Sequence, residues 1–216
     1  MKKSQGNMYP GVKTWNPLGG ECPHKCGYCS TGTLKRFPVI KYKYSGELRL
    51  FSDLHKDLKG KPEIIFVCAQ NDLFAKTVPE TYIKRILDKC NLWSQHTYFF
   101  QTKNPERLWE FKEQFPKDTI LCTTIETNRR YDVMGNTPPV FDRAYAMSKL
   151  VLFTKHVTIE PIMRFNLANL VRLIKISGAT KINIGADSKH NHLPEPNKDE
   201  LLALIDELKK LTTIDQ

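Results

Sequence analysis

The chain has 216 residues, 40% of them hydrophobic and 26% charged. That is an ordinary globular balance for one domain with one substantial core. No apolar run approaches the roughly 20 residues of a membrane helix, and the basic start MKKSQGNMYPG has no apolar stretch behind it, which argues against a secretory signal. The expected setting is cytoplasmic. Lysine and arginine total 33 against 23 aspartate and glutamate, a net +10, which favours polyanionic partners or phosphate-bearing substrates. Surplus lysine on an indifferent surface is the plain alternative.

Along the chain, short β-branched and aromatic runs alternate with stretches of helical period, as in βα units. A short first strand around Val12 to Trp15 leads into TWNPLGGECPHKCGYCST, with a cysteine loop at 19–32. An insertion follows at 34–50, LKRFPVIKYKYSGELRL, in which Lys35, Arg36, Lys41 and Lys43 interleave with Phe37, Tyr42 and Tyr44. Such a pattern suits phosphates tracked by cations and bases stacked on rings. An edge strand guarded by lysines is the other reading, and the preferred one. Leu48, Phe51, Leu54 and Leu58 recur at helical spacing before the second strand, EIIFVCA from Glu63.

Pro79 opens a helix with Tyr82, Ile83, Ile86, Leu87 and Cys90 on one face. After TYFFQT from Thr97, Asn104 and Pro105 start a helix carrying Leu108, Phe111 and Phe115. TILCTTIE from Thr119 precedes a helix over Val140 to Leu150. HVTIEP from His156 precedes a helix capped by Asn166 and stopped by Gly178. KINIGAD from Lys181 is the sixth strand. The loop KHNHLPEPNK, with His190 and His192, then leads to a last helix capped by Asn197 and carrying Leu201, Leu204, Leu208 and Leu211.

Six βα units in this length predict an α/β fold, a partial (β/α)6 TIM-like barrel, with a doubly wound open sheet as the alternative. Both put chemistry at the carboxyl ends of the strands. Those ends are polar here: Gln70, Asn71 and Asp72; Gln101, Thr102 and Lys103; Thr124, Glu126 and Asn128; Glu160; Gly185, Asp187 and Ser188. Together they suggest a pocket rim, although turns are polar by default.

Six cysteines are present, but Cys68, Cys90 and Cys122 lie scattered in apolar segments and read as buried thiols. Cys22, Cys26 and Cys29 cluster, as metal-binding cysteines do in a reducing compartment. Three thiolates leave a tetrahedral zinc one ligand short unless His24 or another histidine joins, and there is no second CxxC-like pair. A four-iron cube takes about one thiolate per iron, so three would leave one iron for another ligand. Gly27 permits a sharp turn and Pro23 stiffens the start of the loop.

Cys22-Pro-His-Lys-Cys26-Gly-Tyr28-Cys29 resembles the signature of the radical S-adenosylmethionine (radical SAM) superfamily, in spacing and in the aromatic residue before the last cysteine. The stretches TWNPLGGECPHKCGYC, IIFVCAQNDLF, HTYFFQTKNPERL, TTIETN and TIEP are similar to a phage-associated, poorly characterised branch of it, from about Thr14 to Asp187. The resemblance implies a 4Fe-4S cluster on Cys22, Cys26 and Cys29. S-adenosyl-L-methionine (SAM) on the free iron would be cleaved reductively to a 5′-deoxyadenosyl radical that abstracts hydrogen from a substrate. An electron donor such as flavodoxin or ferredoxin is implied, and no membrane.

The resemblance also distributes roles. Tyr28 would touch the SAM adenine. Asn71 and Asp72, with nearby carbonyls, stand where many members carry Gly-Gly-Glu for the SAM amino group; Gly19-Gly20-Glu21 precedes the cysteines and would instead shape the loop. Thr124, Glu126 and Asn128 would contact ribose and carboxylate, with Arg129 or Arg130 available to pair a carboxylate. Glu160 would face SAM or substrate, an ion pair with Lys103 being the alternative, and these two are the candidate catalytic pair. Gly185 would let the backbone approach the adenine. Cys68 or Cys122 could donate hydrogen to a radical, core packing being the preferred reading. A nucleic acid, nucleotide or nucleobase derivative is the first substrate reading. A protein partner is the second, and a non-catalytic metal-stabilised nucleic-acid-binding module the third.

Overall fold

Val67, Phe100, Leu121 and Ile159 sit in adjacent parallel strands of one sheet, and their neighbours in sequence point to its other face. The structure, a computed structural model, describes residues 9, 11–211 and 213–215. Its strands are β1 (Lys13–Trp15), β2 (Leu18–Gly19), β3 (Arg49–Leu50), β4 (Ile64–Val67), β5 (Thr97–Thr102), β6 (Thr119–Thr124), β7 (Thr154–Ile159), β8 (Lys181–Ile184) and β9 (Thr213–Asp215). Seven of them form one sheet in the order β1-β4-β5-β6-β7-β8-β9, every pairing parallel. β2 and β3 make a separate antiparallel ribbon.

The strand order never reverses. With right-handed crossovers, every connection then lies on the same side of the sheet, as in a barrel that has not closed. The fold is thus the α/β partial TIM-like barrel, and the doubly wound alternative, which requires a reversal, falls. β9 is a seventh parallel strand beyond the six expected; Thr213–Asp215 is too short and too polar to announce itself.

The helices are α1 (Ser30–Leu34), α2 (Pro38–Lys43), α3 (Glu80–Leu92), α4 (Val140–Ser148), α5 (Leu167–Ser177) and α6 (Lys198–Lys209). The expected caps form on α5 and α6. Asn166 Oδ1 accepts from Asn169 N at 3.1 Å, and Gly178 closes α5 in the left-handed conformation at φ 65°. Asn197 and Glu200 form a reciprocal capping box on α6.

Three sequence readings change. Pro105–Phe111 is a 3-10 helix, and Asn104 does not cap it; its side-chain amide donates to Phe74 O at 2.9 Å. The residues from Leu48 to Leu58 do not form an α-helix. They make β3 and the 3-10 turn Ser52–His55, and their leucine side chains pack on the main core from an irregular path. The insertion is no edge strand: Pro38 at a first-turn position starts α2, which buries none of its residues.

Ile65 and Val67, Tyr98 and Phe100, and Leu121 face the helices, within a core shared with Ile83, Ile86 and Leu87 of α3. A second core joins Val157, Ile159 and Ile182 to α4, α5 and α6. Phe66, Phe99 and Cys122 alternate to the opposite, concave face, where Tyr9 packs against both phenylalanine rings. No helix of the described residues is long and apolar enough to cross a membrane.

Candidate active site at the carboxyl ends of the strands

The cysteine loop leaves β2 and crosses the carboxyl ends of the strands. There it borders a cleft of about 740 Å³, which Cys22, Cys26, Cys29 and Tyr28 line from one side and Lys103 and Glu160 from the other. The short helix α1 follows Cys29 directly and adds Ser30, Thr31 and Leu34 to the lining.

Two structures hold the loop. The first is the segment Tyr131–Thr137 behind it. Gly27 N donates to Val133 O at 2.7 Å, Asn136 N donates to His24 O at 2.7 Å, and the Asn136 side chain reaches Pro23 O at 3.3 Å. Gly135, at φ 61°, makes this possible: a Cβ there would lie 2.2 Å from His24 O. The second is Asp72, just past β4. Its carboxylate takes His24 Nε2 at 2.8 Å, Thr102 Oγ1 at 2.7 Å, Lys103 N at 2.7 Å and Phe74 N at 3.0 Å. Burial would raise this carboxyl, but His24 and the other donors hold it below its ordinary value. Asn71 is likewise occupied, donating to Gly20 O at 3.0 Å and accepting from Asp72 N at 2.9 Å. Both residues line the cleft, yet their polar groups are bound within the protein. Of the carbonyls beside them, that of Cys68 accepts from Asn71 N and that of Gln70 from Thr31 Oγ1, so the expected reception of a SAM amino group would fall to Ala69 O.

Glu126 lies deeper. It is wholly buried beneath the cleft. Oε1 accepts from the Tyr28 hydroxyl and from Lys103 Nζ at 2.5 Å, and Oε2 from Arg143 Nη1 at 2.8 Å. Burial alone would raise its carboxyl; Lys103 and Arg143, with Tyr28, instead hold it at about 2. Arg143, also fully buried on α4, donates further to Thr124 O, Pro138 O and Thr137 Oγ1, which ties this network to the segment behind the cysteine loop. Sequence reasoning missed Arg143. Its signal was present: Val140, Arg143, Ala144 and Met147 share the buried stripe of one helix.

Glu126 therefore meets the cleft through Tyr28 and Lys103 rather than directly. Lys103 pairs with Glu126 and not with Glu160, and its ammonium sits 5.1 Å from the Tyr28 ring centroid. An ammonium has three donors, so two remain beyond Glu126 Oε1. Glu160, at the end of β7, lines the cleft and, among the described residues, receives Asn183 Nδ2 alone, at 3.3 Å; burial raises its carboxyl. Thr124 lines the cleft and accepts from Gln101 at 3.2 Å.

Asn128 lies elsewhere, its side-chain oxygen accepting from Asn166 N at 2.7 Å ahead of α5. Arg129 and Arg130 bond loop carbonyls of Phe165, Thr137 and Gly135 rather than a carboxylate. Gly185 does permit a close approach, but to Glu160, whose Oε2 would stand 2.5 Å from a Cβ there; its backbone N–H and carbonyl serve Ile159 and Ile162. Gly19 and Gly20 do shape the approach to the loop: Gly20 N donates to Lys43 O at 2.7 Å and Glu21 N to Gly46 O at 2.9 Å. Cys68 stands one residue past β4 in the cleft wall, while Cys122 is inside β6, 3.7 Å from the Tyr9 hydroxyl.

The donor set fits an iron–sulfur cube. All three loop cysteines are free and half-buried around one cleft. Burial, then Asp72, pushes the Cys22 thiol up to about 12, and burial also raises Cys26, so thiolates here call for a metal charge beside them. His24, the candidate fourth zinc ligand, is buried against Asp72. Among the described residues no three His, Cys, Asp or Glu side chains converge on one ion; a cube binds one thiolate per iron and does not need that convergence.

Solved structures carry the same fold. A spore photoproduct lyase variant with bound AdoMet and dinucleoside spore photoproduct superposes with a TM-score of 0.58 at 14% identity, over 90% of this chain and 60% of that one. A second spore photoproduct lyase variant gives 0.65 at 11% identity, over 99% and 78%. Streptococcus suis SuiB bound to S-adenosylmethionine gives 0.56 at 10% identity, over 97% and 51%. No curated protein matches the sequence.

The fold is the one seen in spore photoproduct lyase and SuiB, and the cysteine spacing is the one that resembles the radical SAM signature. The chain belongs to DUF5131, a family described as proteins of unknown function, whose model matches residues 11–170.

Proposed function

We propose that the chain is a radical SAM enzyme acting on a nucleic acid, nucleotide or nucleobase derivative in the cleft. The observation that carries the enzymatic reading is the trio Cys22, Cys26 and Cys29, facing a cleft at the carboxyl ends of a partial barrel. These cysteines would hold a 4Fe-4S cluster, which when bound would supply the electron for reductive cleavage of SAM and so the radical that takes hydrogen from a substrate. The net charge of +10 supports the substrate class, as does the dinucleoside bound by a structural neighbour. Electrons come from a small donor such as flavodoxin or ferredoxin, and the free thiols suit a reducing cytoplasm.

The chain's own groups divide the remaining work. Tyr28, fixed by its bond to Glu126, offers a ring to the adenine. Lys103, anchored on one side by Glu126, turns its remaining donors to the carboxylate of SAM. Thr124 takes the ribose and the Ala69 carbonyl the amino group, both from the lining of the cleft. Glu160 faces the substrate side, and its partly buried carboxyl is suited to accept or hold a proton there. The buried walls keep water from the reacting carbon.

The test is anaerobic. Reconstituted protein should be brown and release 5′-deoxyadenosine from SAM with dithionite, and Cys22→Ala, Cys26→Ala or Cys29→Ala should abolish both properties. A colourless zinc protein that leaves SAM intact would sink this reading.

A further inference from the structure

We infer that the insertion at 34–50 is a docking track for a single nucleic-acid strand, which carries the nucleotides flanking the one held in the cleft. This deepens the reading of the cleft as a nucleic-acid-modifying site and rests on it. The first observation is that α2 buries none of its residues: Val39 and Tyr42 are 77% and 71% exposed, with Phe37 half exposed ahead of it, and Tyr42 touches the Phe51 ring and Arg49 while leaving most of its surface open. A six-residue helix that covers no core adds little to the stability of the fold.

The second observation is where it lies. A groove of about 770 Å³, lined among others by Val39, Tyr42, Lys43 and Phe51, adjoins the reaction cleft; Leu34, Tyr44 and Gln70 line both. Arg36 lines the reaction cleft at the point where the insertion begins. The track is fixed relative to the cysteine loop by the bonds from Gly20 N to Lys43 O and from Glu21 N to Gly46 O. Gly19 and Gly20 permit this contact, since a Cβ on either would lie within 2.5 Å of Phe51, Lys43 or Glu47 atoms.

The third observation is chemistry. Residues 34–50 carry Lys35, Arg36, Lys41, Lys43 and Arg49 against Glu47 alone. Not all of this charge is available. Lys43 is paired with Asp53, Lys35 lies 4.0 Å from Glu21, and Arg49 is spent on the carbonyls of Tyr42, Ser45 and Glu47, which hold the Tyr42 turn in shape. The lysines across the groove, Lys13, Lys56 and Lys59, face Glu63, Asp53 and Asp57. Arg36 and Lys41 have no acidic partner among the described residues. They are therefore the phosphate contacts, with Phe37 and Tyr42 beside them as exposed ring faces. Arg36 already sits 4.9 Å above the Phe37 ring centroid. Exposed rings beside cations without an acidic partner match a strand whose bases are unstacked; a duplex hides its base faces, and an acidic peptide lacks the regular run of aromatic faces alternating with charge.

The probe is a labelled oligothymidylate of about 12 nucleotides, within the usual site size for such grooves, and its duplex with oligoadenylate. Fluorescence anisotropy is read against salt with the full chain. The single strand should bind and the duplex bind more weakly. Arg36→Gln with Lys41→Gln should lower the slope of log affinity against log salt by about 1.4, the value for two phosphates on a single strand. Phe37→Ala and Tyr42→Ala should each weaken binding roughly tenfold with the slope unchanged. Because Arg36, Phe37, Lys41 and Tyr42 are all exposed, the four substitutions should leave the thermal midpoint in place, so lost binding cannot be ascribed to unfolding. Equal or tighter duplex binding, no binding, or binding indifferent to these substitutions would overturn the inference. SAM cleavage by the unaltered protein is scored separately, so failure of the radical chemistry and failure of the track can be told apart.

Discussion

Glu126 and Glu160 occupy the ends of neighbouring strands, two residues past β6 and one past β7, and they could not be more differently treated. Glu126 has Lys103, Arg143 and Tyr28 on its two oxygens and is held ionised at about 2. Glu160 has one long bond from Asn183 and a carboxyl raised by burial. The first is an anchor for its neighbours, and the second is left with bonding capacity facing a cleft. A strand-end carboxylate is thus not functional by position; what matters is how many of its lone pairs the protein has already used.

The contrast can be attacked from the Glu126 side first. Glu126→Ala leaves Arg143 buried beside a missing counter-charge and should cost about 3–5 kcal/mol, read from urea unfolding at pH 7. An unchanged midpoint would show that the network is not an anchor. Acid should act next. The depressed folded carboxyl contributes stability that is complete above its unfolded value near 4.5 and is lost as pH falls toward 2. The loss is on the order of 3 kcal/mol, and Glu126→Gln should flatten this part of the stability–pH curve.

Gly135→Ala should cost about 1–3 kcal/mol, since it strains a positive-φ site and drives a Cβ into His24 O. The substitution should also speed alkylation of Cys22 and Cys26 in the metal-free protein. The smallest effect falls on the other carboxylate. Because burial raises Glu160, ionising it opposes folding. Glu160→Gln should therefore leave the melting temperature unchanged at pH 4 and raise it slightly at pH 8. A drop at pH 8 would mean that Glu160 is as fully partnered as Glu126.

Much of the frame was legible because its signals are local. The capping box Asn197–Glu200, the Asn166 cap and the Gly178 stop depend on residues within one turn of each other. The cysteine spacing and the polar strand ends are equally short-range. What escaped was decided by distant partners. Asn104 looks like a cap but bonds Phe74 O, 30 residues earlier in the chain. The spacing of Leu48, Phe51, Leu54 and Leu58 imitates a helix, yet Leu48, Leu54 and Leu58 reach the core from an irregular path around a ribbon and a turn, while Phe51 meets the Tyr42 ring instead. Asp72 and Glu126 were recognisable as site carboxylates. Nothing in their immediate sequence revealed that His24, 48 residues away, and Arg143, 17 residues away, would saturate them.

The sheet begins at β1 and ends at β9 without the two meeting. In a closed barrel the first and last strands pair and so fix the width of the mouth. Among the described residues β1 and β9 each keep an unpaired edge, so the splay of the sheet, rather than closure, sets how wide the strand-end cleft stands.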